Sequence, residues 1–184
     1  MPFPILETKR LKLIELTHQH ANAVYEILSL DVVTQFYGTS PFTLPAEANR
    51  LIDIYYKNYL DKRGIRWGIK LKENQRIIGT VGLNVLHLKN KRAEIGYELH
   101  PSCWRKGFAV EAVSEVLKFS FKKLELNRIG AVVYPENNAS LSLLEKLGFS
   151  NEGILRGYIL QDGVFHDTFM LSLLKQEWEK SQEE

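Results

Sequence analysis

Apolar and polar positions change their period several times along the chain, and each change marks an element. From Thr8 to Leu16, Leu11 and Leu13 alternate with Lys12, the period-2 pattern of a half-buried strand. Thr17 is a suitable N-cap for a following helix that buries Ala21, Val24, Ile27 and Leu28. Asp31 to Thr43 carries no period and reads as loop. Pro45, suited to a first turn, opens a second helix that buries Leu51, Ile54 and Tyr55. The period then returns to 2. Arg66–Leu71, Arg76–Leu86 and Arg92–Leu99 read as three strands of an antiparallel meander, with turns at Asn74 and at Lys89 to Lys91. After a glycine turn, Val110, Val113, Leu117, Phe121 and Leu124 recur at helical steps, and the β-branched run Ile129–Tyr134 follows. Strand, helix and strand at this spacing form a βαβ unit, whose two strands lie parallel with a right-handed crossover. A helix over Ala139–Leu147 stops at Gly148, and Asp162-Gly163 between two β-rich runs marks a hairpin.

Composition narrows the class. The chain has 184 residues, about one domain, and no Pro-, Gly- or Ser-rich linker or repeat divides it, so residues 1–184 are expected to form a single domain. With 45% hydrophobic and 25% charged residues it has an ordinary globular profile. A net charge of +2 is too small for a chain organised around many phosphates, so nucleic acid is not an expected partner. Cys103, the one cysteine, excludes an intramolecular disulfide and a multi-cysteine zinc site, and fits a reducing compartment. Met1 to Leu6 lacks a basic leader region, and no apolar run is long enough to span a bilayer. The expected location is cytoplasmic, without membrane attachment.

The chemistry concentrates where the strand Glu94–Leu99 runs through Trp104, Arg105, Lys106 and Gly107 into the long helix. Gly107 permits a tight turn, the unpaired N–H groups of the helix start converge there, and Arg105 and Lys106 add positive charge. That combination suits a pyrophosphate, although an ordinary βα turn with a glycine remains an alternative from this stretch alone. It matches neither the dinucleotide-binding nor the P-loop pattern.

Trp104-Arg-Lys-Gly-Phe-Ala109 resembles the Gln/Arg-x-x-Gly-x-Gly/Ala signature of the GCN5-related N-acetyltransferases (GNAT). Trp104 departs from the general signature at its first position. With Gly-aromatic-Ala and then Glu111-Ala112, it is similar to the subgroup of RimJ/RimL-type ribosomal-protein N-acetyltransferases. Thr8-Lys-Arg-Leu-Lys-Leu13, Ile78-Gly-Thr-Val-Gly82, Glu94-Ile-Gly-Tyr97, Asn137-Asn-Ala-Ser140, Leu144-Glu-Lys-Leu-Gly-Phe149 and the hairpin from Arg156 through Gly163 to Leu171 carry the resemblance over almost the whole chain.

The resemblance implies an α+β fold with a central mixed, mostly antiparallel sheet flanked by helices. The fourth and fifth strands, Glu94–Leu99 and Ile129–Tyr134, splay apart in it to hold acetyl-coenzyme A as cosubstrate, without a metal. A splayed strand leaves backbone groups that an amide-rich pantetheine arm can satisfy. By position, Tyr97, Glu98 and Leu99 supply those contacts. Arg105, Lys106, Gly107, Phe108, Ala109 and Val110 hold the pyrophosphate, and Asn137 bonds the cofactor. A homodimer is among the forms the resemblance allows.

Attack of an amine on a thioester needs a neutral amine, a stabilised oxyanion and a proton for the thiolate. An α-amine of pKa about 8 is roughly a tenth neutral at pH 7, whereas a lysine near 10.4 is neutral to less than about one part in a thousand, so an Nα substrate tolerates a weak base. Glu94 and Glu98, four apart on one strand, share a face unless a bulge intervenes, and either, or a water, is a candidate base. The position at which many relatives carry an acidic tyrosine is Leu144 here. Ser140, matching the serine of the RimL-like branch, is the candidate acid, with a helix cap as its alternative role. Phe36 and Tyr37 are candidate acceptor contacts or core residues. No histidine spacing suits a metal, and an acyl intermediate on Cys103 is not expected.

The function expected is acetyl-coenzyme A dependent N-acetylation of a protein N-terminus. A small amine such as an antibiotic, polyamine or amino acid is the alternative acceptor, and a non-catalytic coenzyme A sensing module is the alternative of another class.

Overall fold

The computed structural model describes residues 2–183. Met1, at the head of the segment expected to lack a leader, and Glu184, in the polar tail, lie outside them.

The chain runs through β1 (Leu6–Glu7), β2 (Leu11–Glu15), α1 (Ala21–Leu28), α2 (Asp31–Thr34), α3 (Pro45–Leu60), β3 (Ile65–Leu71), β4 (Ile77–His87), β5 (Arg92–Leu99), α4 (Phe108–Lys122), β6 (Arg128–Val133), α5 (Asn138–Lys146), β7 (Ser150–Gln161), β8 (Val164–Leu174) and α6 (Lys175–Ser181). One eight-stranded sheet has the order β1-β2-β3-β4-β5-β6-β8-β7. All neighbours are antiparallel except β5 and β6. That parallel pair, the fourth and fifth strands of the sequence reading, is joined only over Arg92–Glu94 and Arg128–Gly130. Beyond those three residues the strands part. The mixed fold with a splayed parallel pair is therefore present.

Each element follows from its residues. α4 buries Ala112, Val113, Val116, Leu117, Ser120 and Phe121 along one stripe. This stripe packs on the sheet with Trp67, Ile78, Val81, Ile95 and Ile129 in the main core. The opposite side carries a second cluster of Val24, Leu28, Ala48 and Ile52 from α1 and α3, with Tyr37 and Tyr55 partly buried against it. At the β7–β8 turn, Asp162 and Gly163 both have positive φ (51° and 77°), the geometry of a two-residue hairpin.

Several expectations are corrected. The opening strand, β2, begins at Leu11 rather than Thr8, because the chain turns at Thr8–Arg10, and a two-residue strand, β1, precedes that turn. Thr17 leads into a one-turn 3-10 helix, His18–His20, before α1 begins. The segment Asp31–Thr43 is not all loop: α2 buries Thr34, and four residues are too few to show a helical period. In α3 the inward stripe runs through Ala48, Leu51, Ile52 and Tyr55, with Ala48 and Ile52 the most deeply buried, and of the three residues expected inside only Ile54 turns to solvent.

Candidate active site

The N–H of His100, just past β5, donates to the Ile78 carbonyl of β4 at 2.8 Å. Backbone groups alternate edges along a strand, and no register shift interrupts the ladder between residues 94 and 99, so Glu94, Gly96 and Glu98 turn their N–H and C=O toward β4. Ile95, Tyr97 and Leu99 turn theirs toward the gap. Of the three backbone contacts expected, Tyr97 and Leu99 fit an occupant of the gap, whereas Glu98 has its backbone committed to the sheet.

The even-numbered side chains of β5 face the α1–α3 layer. There Glu98, buried, is bound by the Arg66 guanidinium at Oε2 and by the Thr80 hydroxyl at Oε1. Arg66 also donates to Thr80 Oγ1 at 2.7 Å and to the Gly96 carbonyl at 3.2 Å, and its guanidinium lies 5.6 Å from the Tyr55 ring centre. Burial disfavours the guanidinium charge, but Glu98 outweighs it and holds Arg66 above its ordinary pKa. A Cβ at Gly82 would come within 2.6 Å of Arg66 Cδ, and one at Gly96 within 3.2 Å of its Nη1. Two glycines of the motifs thus make room for one arginine.

Glu94 stands on the same face at the vertex where β5 and β6 part. Its Cγ lies over Gly130, and a small pocket there is lined by Val85, Arg92, Ala93, Glu94, Arg128, Gly130 and Met170. Among the described residues the Glu94 carboxylate has no hydrogen-bond or ion-pair partner. Partial burial raises its pKa, with Arg92 and Arg128 opposing. Arg128 itself is engaged by Glu152 through a fork at 2.6 and 2.5 Å.

On the other face, Tyr97 carries a buried hydroxyl with no hydrogen-bond partner of good geometry, with Ser140 as its polar neighbour. Burial pushes its pKa up to about 12. Ser140 is the third residue of α5, whose cap is Asn137: the Asn137 side-chain oxygen accepts from the Ser140 N–H at 3.2 Å. The capping alternative for Ser140 therefore passes to Asn137, which keeps its amide N–H groups free for another acceptor. Leu144 is 1% exposed, a core residue.

The turn before α4 has the expected shape. Gly107 is its N-cap in the left-handed region (φ 78°), Arg105 also has positive φ (57°), and Arg105, Lys106 and Gly107 are exposed while Phe108, Ala109 and Val110 are half-buried. The N–H groups of Phe108, Ala109 and Val110 have no partner within the helix. Trp104, the departure from the signature, donates its indole N–H to the Leu99 carbonyl at 2.8 Å and so ties the turn to the strand end.

Sequence reasoning missed the buttress of this turn. Arg10 donates to the Lys106 carbonyl at 2.9 Å, lies 4.3 Å from the Phe108 ring centre and pairs with Glu111 at 2.6 Å, while Thr8 donates to the other Glu111 oxygen at 2.5 Å. These hydrogen bonds hold Glu111 below its ordinary pKa, against partial burial. Arg66 was also missed. A charge inside the apolar run Ile65-Arg-Trp-Gly-Ile69 was the available signal.

Of the two candidate acceptor contacts, Phe36 packs on Tyr134 of the β6 end with ring centres 5.7 Å apart. Tyr37 bonds the Tyr55 hydroxyl at 3.0 Å, close to Arg66 and Glu98. Cys103 is buried. Among the described residues no group of three or more His, Cys, Asp and Glu side chains could hold a metal, and no helix is long and apolar enough to cross a membrane.

The chain is similar to known proteins over nearly its full length. It is 46% identical over 173 residues to the uncharacterized N-acetyltransferase YoaA of Bacillus subtilis, covering 94% of this chain and 98% of that one. It is 28% identical over 113 residues to the [ribosomal protein uS5]-alanine N-acetyltransferase of Escherichia coli, covering 61% and 58%. The fold superposes with a TM-score of 0.81 on a spermidine N-acetyltransferase from Vibrio cholerae solved with CoA and spermine, at 23% identity and covering 94% and 99%. The acetyltransferase (GNAT) domain matches residues 10–150, which take in the splayed strands, the α4 turn and the start of α5, and the chain belongs to that family of N-acetyltransferases.

Proposed function

We propose that the chain transfers an acetyl group from acetyl-coenzyme A directly to the α-amine of a protein or peptide N-terminus. The observation that carries this reading is Glu94: an unpaired, half-buried carboxylate at the vertex of two parting strands whose facing backbone edges are open. The similarity to the E. coli enzyme that acts on a ribosomal-protein alanine supports the choice of acceptor.

The residues present fit the cosubstrate. The open N–H and C=O of Tyr97 and the N–H of Leu99, whose carbonyl already accepts from Trp104, suit the amides of pantetheine, and the buried Tyr97 hydroxyl has no hydrogen-bond partner of good geometry. The α4 turn offers unpaired N–H groups, a helix N-terminus and the charges of Arg105 and Lys106 to a pyrophosphate. Asn137 offers its free amide. When bound, acetyl-coenzyme A supplies an activated acyl group on a good leaving thiolate.

The chain's own residues divide the remaining work by face. Glu94 accepts the proton of the incoming amine, and its raised pKa brings it nearer that of an α-amine. Glu98, bound at both oxygens, is left out of this role. An N–H of the open β5 edge, Tyr97 or Leu99, stabilises the oxyanion. Ser140, its N–H capped by Asn137 and its hydroxyl beside Tyr97, relays to the departing thiolate the proton that the nitrogen loses on becoming an amide, taking one up as it gives one away. Base and acid thus stand on opposite faces of β5, as an amine and a thiol approaching one carbonyl require.

The test is a panel of peptides with free N-termini, lysine peptides and polyamines, incubated with acetyl-coenzyme A and read by mass spectrometry. Acetyl groups on N-termini support the reading. Acetylation confined to polyamines or lysines overturns it, and coenzyme A binding without transfer to any acceptor favours a sensing module.

A further inference from the structure

Residues 34–40 make contacts at the ends of β6 and β7 and with α3, on the side of the sheet that carries Glu94 and Glu98. Tyr37 bonds the hydroxyl of Tyr55, whose ring lies by the Arg66 guanidinium, and is close enough to Arg66 and Glu98 to feel their charges. Its neighbour Phe36 packs on Tyr134 at the end of β6. A Cβ at Gly38 would lie 3.4 Å from Ile159 of β7. Three consecutive residues therefore lie near the Glu98 end of β5, against the residue that follows β6, and beside β7.

One side chain ties this segment down. Gln161, the buried last residue of β7, donates through Nε2 to the carbonyls of Thr34 and Thr39 at 3.1 and 3.2 Å. Its Oε1 accepts from the Gly38 N–H at 3.2 Å and from the Tyr134 hydroxyl at 2.6 Å. The amide thereby spends its whole hydrogen-bonding capacity on the two ends and the middle of the segment and on the β6 end. Ser40 donates to Asp162 one residue further on. His166 also packs on Tyr134, with ring centres 5.4 Å apart, so aromatic rings gather at the anchored end.

We propose that Gln161 is a specificity-determining residue. It latches residues 34–40 as a bridge over the gap, so that the acceptor reaches the thioester through an opening bounded by the bridge on one side and by Glu94, Gly130 and Met170 at the vertex on the other. Such a framed opening admits an amine at the end of a slender, extended chain, as a peptide N-terminus is, and excludes an amine set on a bulky ring system. The inference rests on the proposed function and adds the device that selects its acceptor.

Gln161→Ala frees the bridge, and Ser40→Ala, on an exposed side chain, loosens it without touching the buried amide. Both are assayed beside the parent protein with a short free peptide and with an oligosaccharide amine, and coenzyme A binding is measured by calorimetry. Gln161→Ala is expected to raise KM for the peptide more than it lowers kcat, and to raise the relative rate on the oligosaccharide amine by about tenfold, with a smaller shift of the same sign for Ser40→Ala. Coenzyme A affinity stays within about twofold, since none of the four partners of Gln161 belongs to the α4 turn and Asn137 keeps its backbone bond to Tyr134. An unchanged ratio of the two acceptors in both variants overturns the latch while leaving the function standing. Coenzyme A binding by the parent with transfer to neither acceptor overturns the function, and the latch with it.

Discussion

Glu94 and Glu98 project from the same face of β5, four residues apart, yet Arg66 and Thr80 close over Glu98 alone. The sequence presents two equivalent carboxylates. The fold makes one a buried partner in a structural ion pair and leaves the other at the vertex of the splayed strands. Removing each is therefore expected to have a different consequence.

Glu94→Gln is expected to lower turnover by about tenfold to a hundredfold near pH 6 and by much less near pH 9. The sign follows from the proton balance. With Glu94 ionised, an ammonium acceptor can be deprotonated on the enzyme, and the rate is nearly level between the Glu94 pKa, raised by burial, and that of the amine. Without it only the free neutral amine reacts, and its fraction falls tenfold for each pH unit below the amine pKa. A loss of the same size at every pH would hand the role to a water.

Arg66→Ala is expected to destabilise the fold by about 3–5 kcal/mol, because it strands a buried carboxylate. Arg66→Met combined with Glu98→Leu should recover most of that, since the pair's desolvation cost disappears with its attraction. Chemical denaturation of the single and double variants measures both. If the double variant is no more stable than the single one, the cluster owes its stability to Thr80 and the Gly96 carbonyl rather than to charge.

Ser140→Ala should leave stability nearly unchanged, because Asn137 caps α5, and should reduce kcat by less than about tenfold, a thiolate being a good leaving group. Asn137→Ala should do the reverse, costing about 1 kcal/mol of stability through the lost cap and weakening coenzyme A binding. Denaturation midpoints and steady-state kinetics separate the two. A large stability loss in Ser140→Ala would return this serine to a structural role.

The elements with long periods were legible in the chain: the α4 stripe from Val110 to Phe121 and the meander through β3, β4 and β5 repeat often enough to declare themselves. α2 did not, because one turn contains no period. The α4 turn was legible through Gly107, whose conformation is local. The Arg66–Thr80–Glu98 cluster was not, since its members come from three strands and meet only through register. Gly82 and Gly96 were visible as motif residues, but their reason, space for a guanidinium, exists only once Arg66 is placed. Gln161 is hidden for the same cause: its four partners lie between 27 and 127 residues away along the chain.

Gly107→Val tests the turn directly. At φ 78° a β-branched residue is strained by about 1–2 kcal/mol, a modest fraction of a domain's stability. Its Cβ would also stand 3.3 Å from Arg10 Nη2, pressing on the side chain that ties the Lys106 carbonyl to Glu111. The local shape of the turn then fails before the fold does. Circular dichroism is expected to stay close to that of the parent, while coenzyme A affinity measured by calorimetry falls by at least about tenfold. Arg10→Ala should weaken coenzyme A binding by less, because the turn loses its buttress and keeps its glycine. Unchanged affinity in Gly107→Val would show that the pyrophosphate is held elsewhere, and the roles of Arg105 and Lys106 would fall with it.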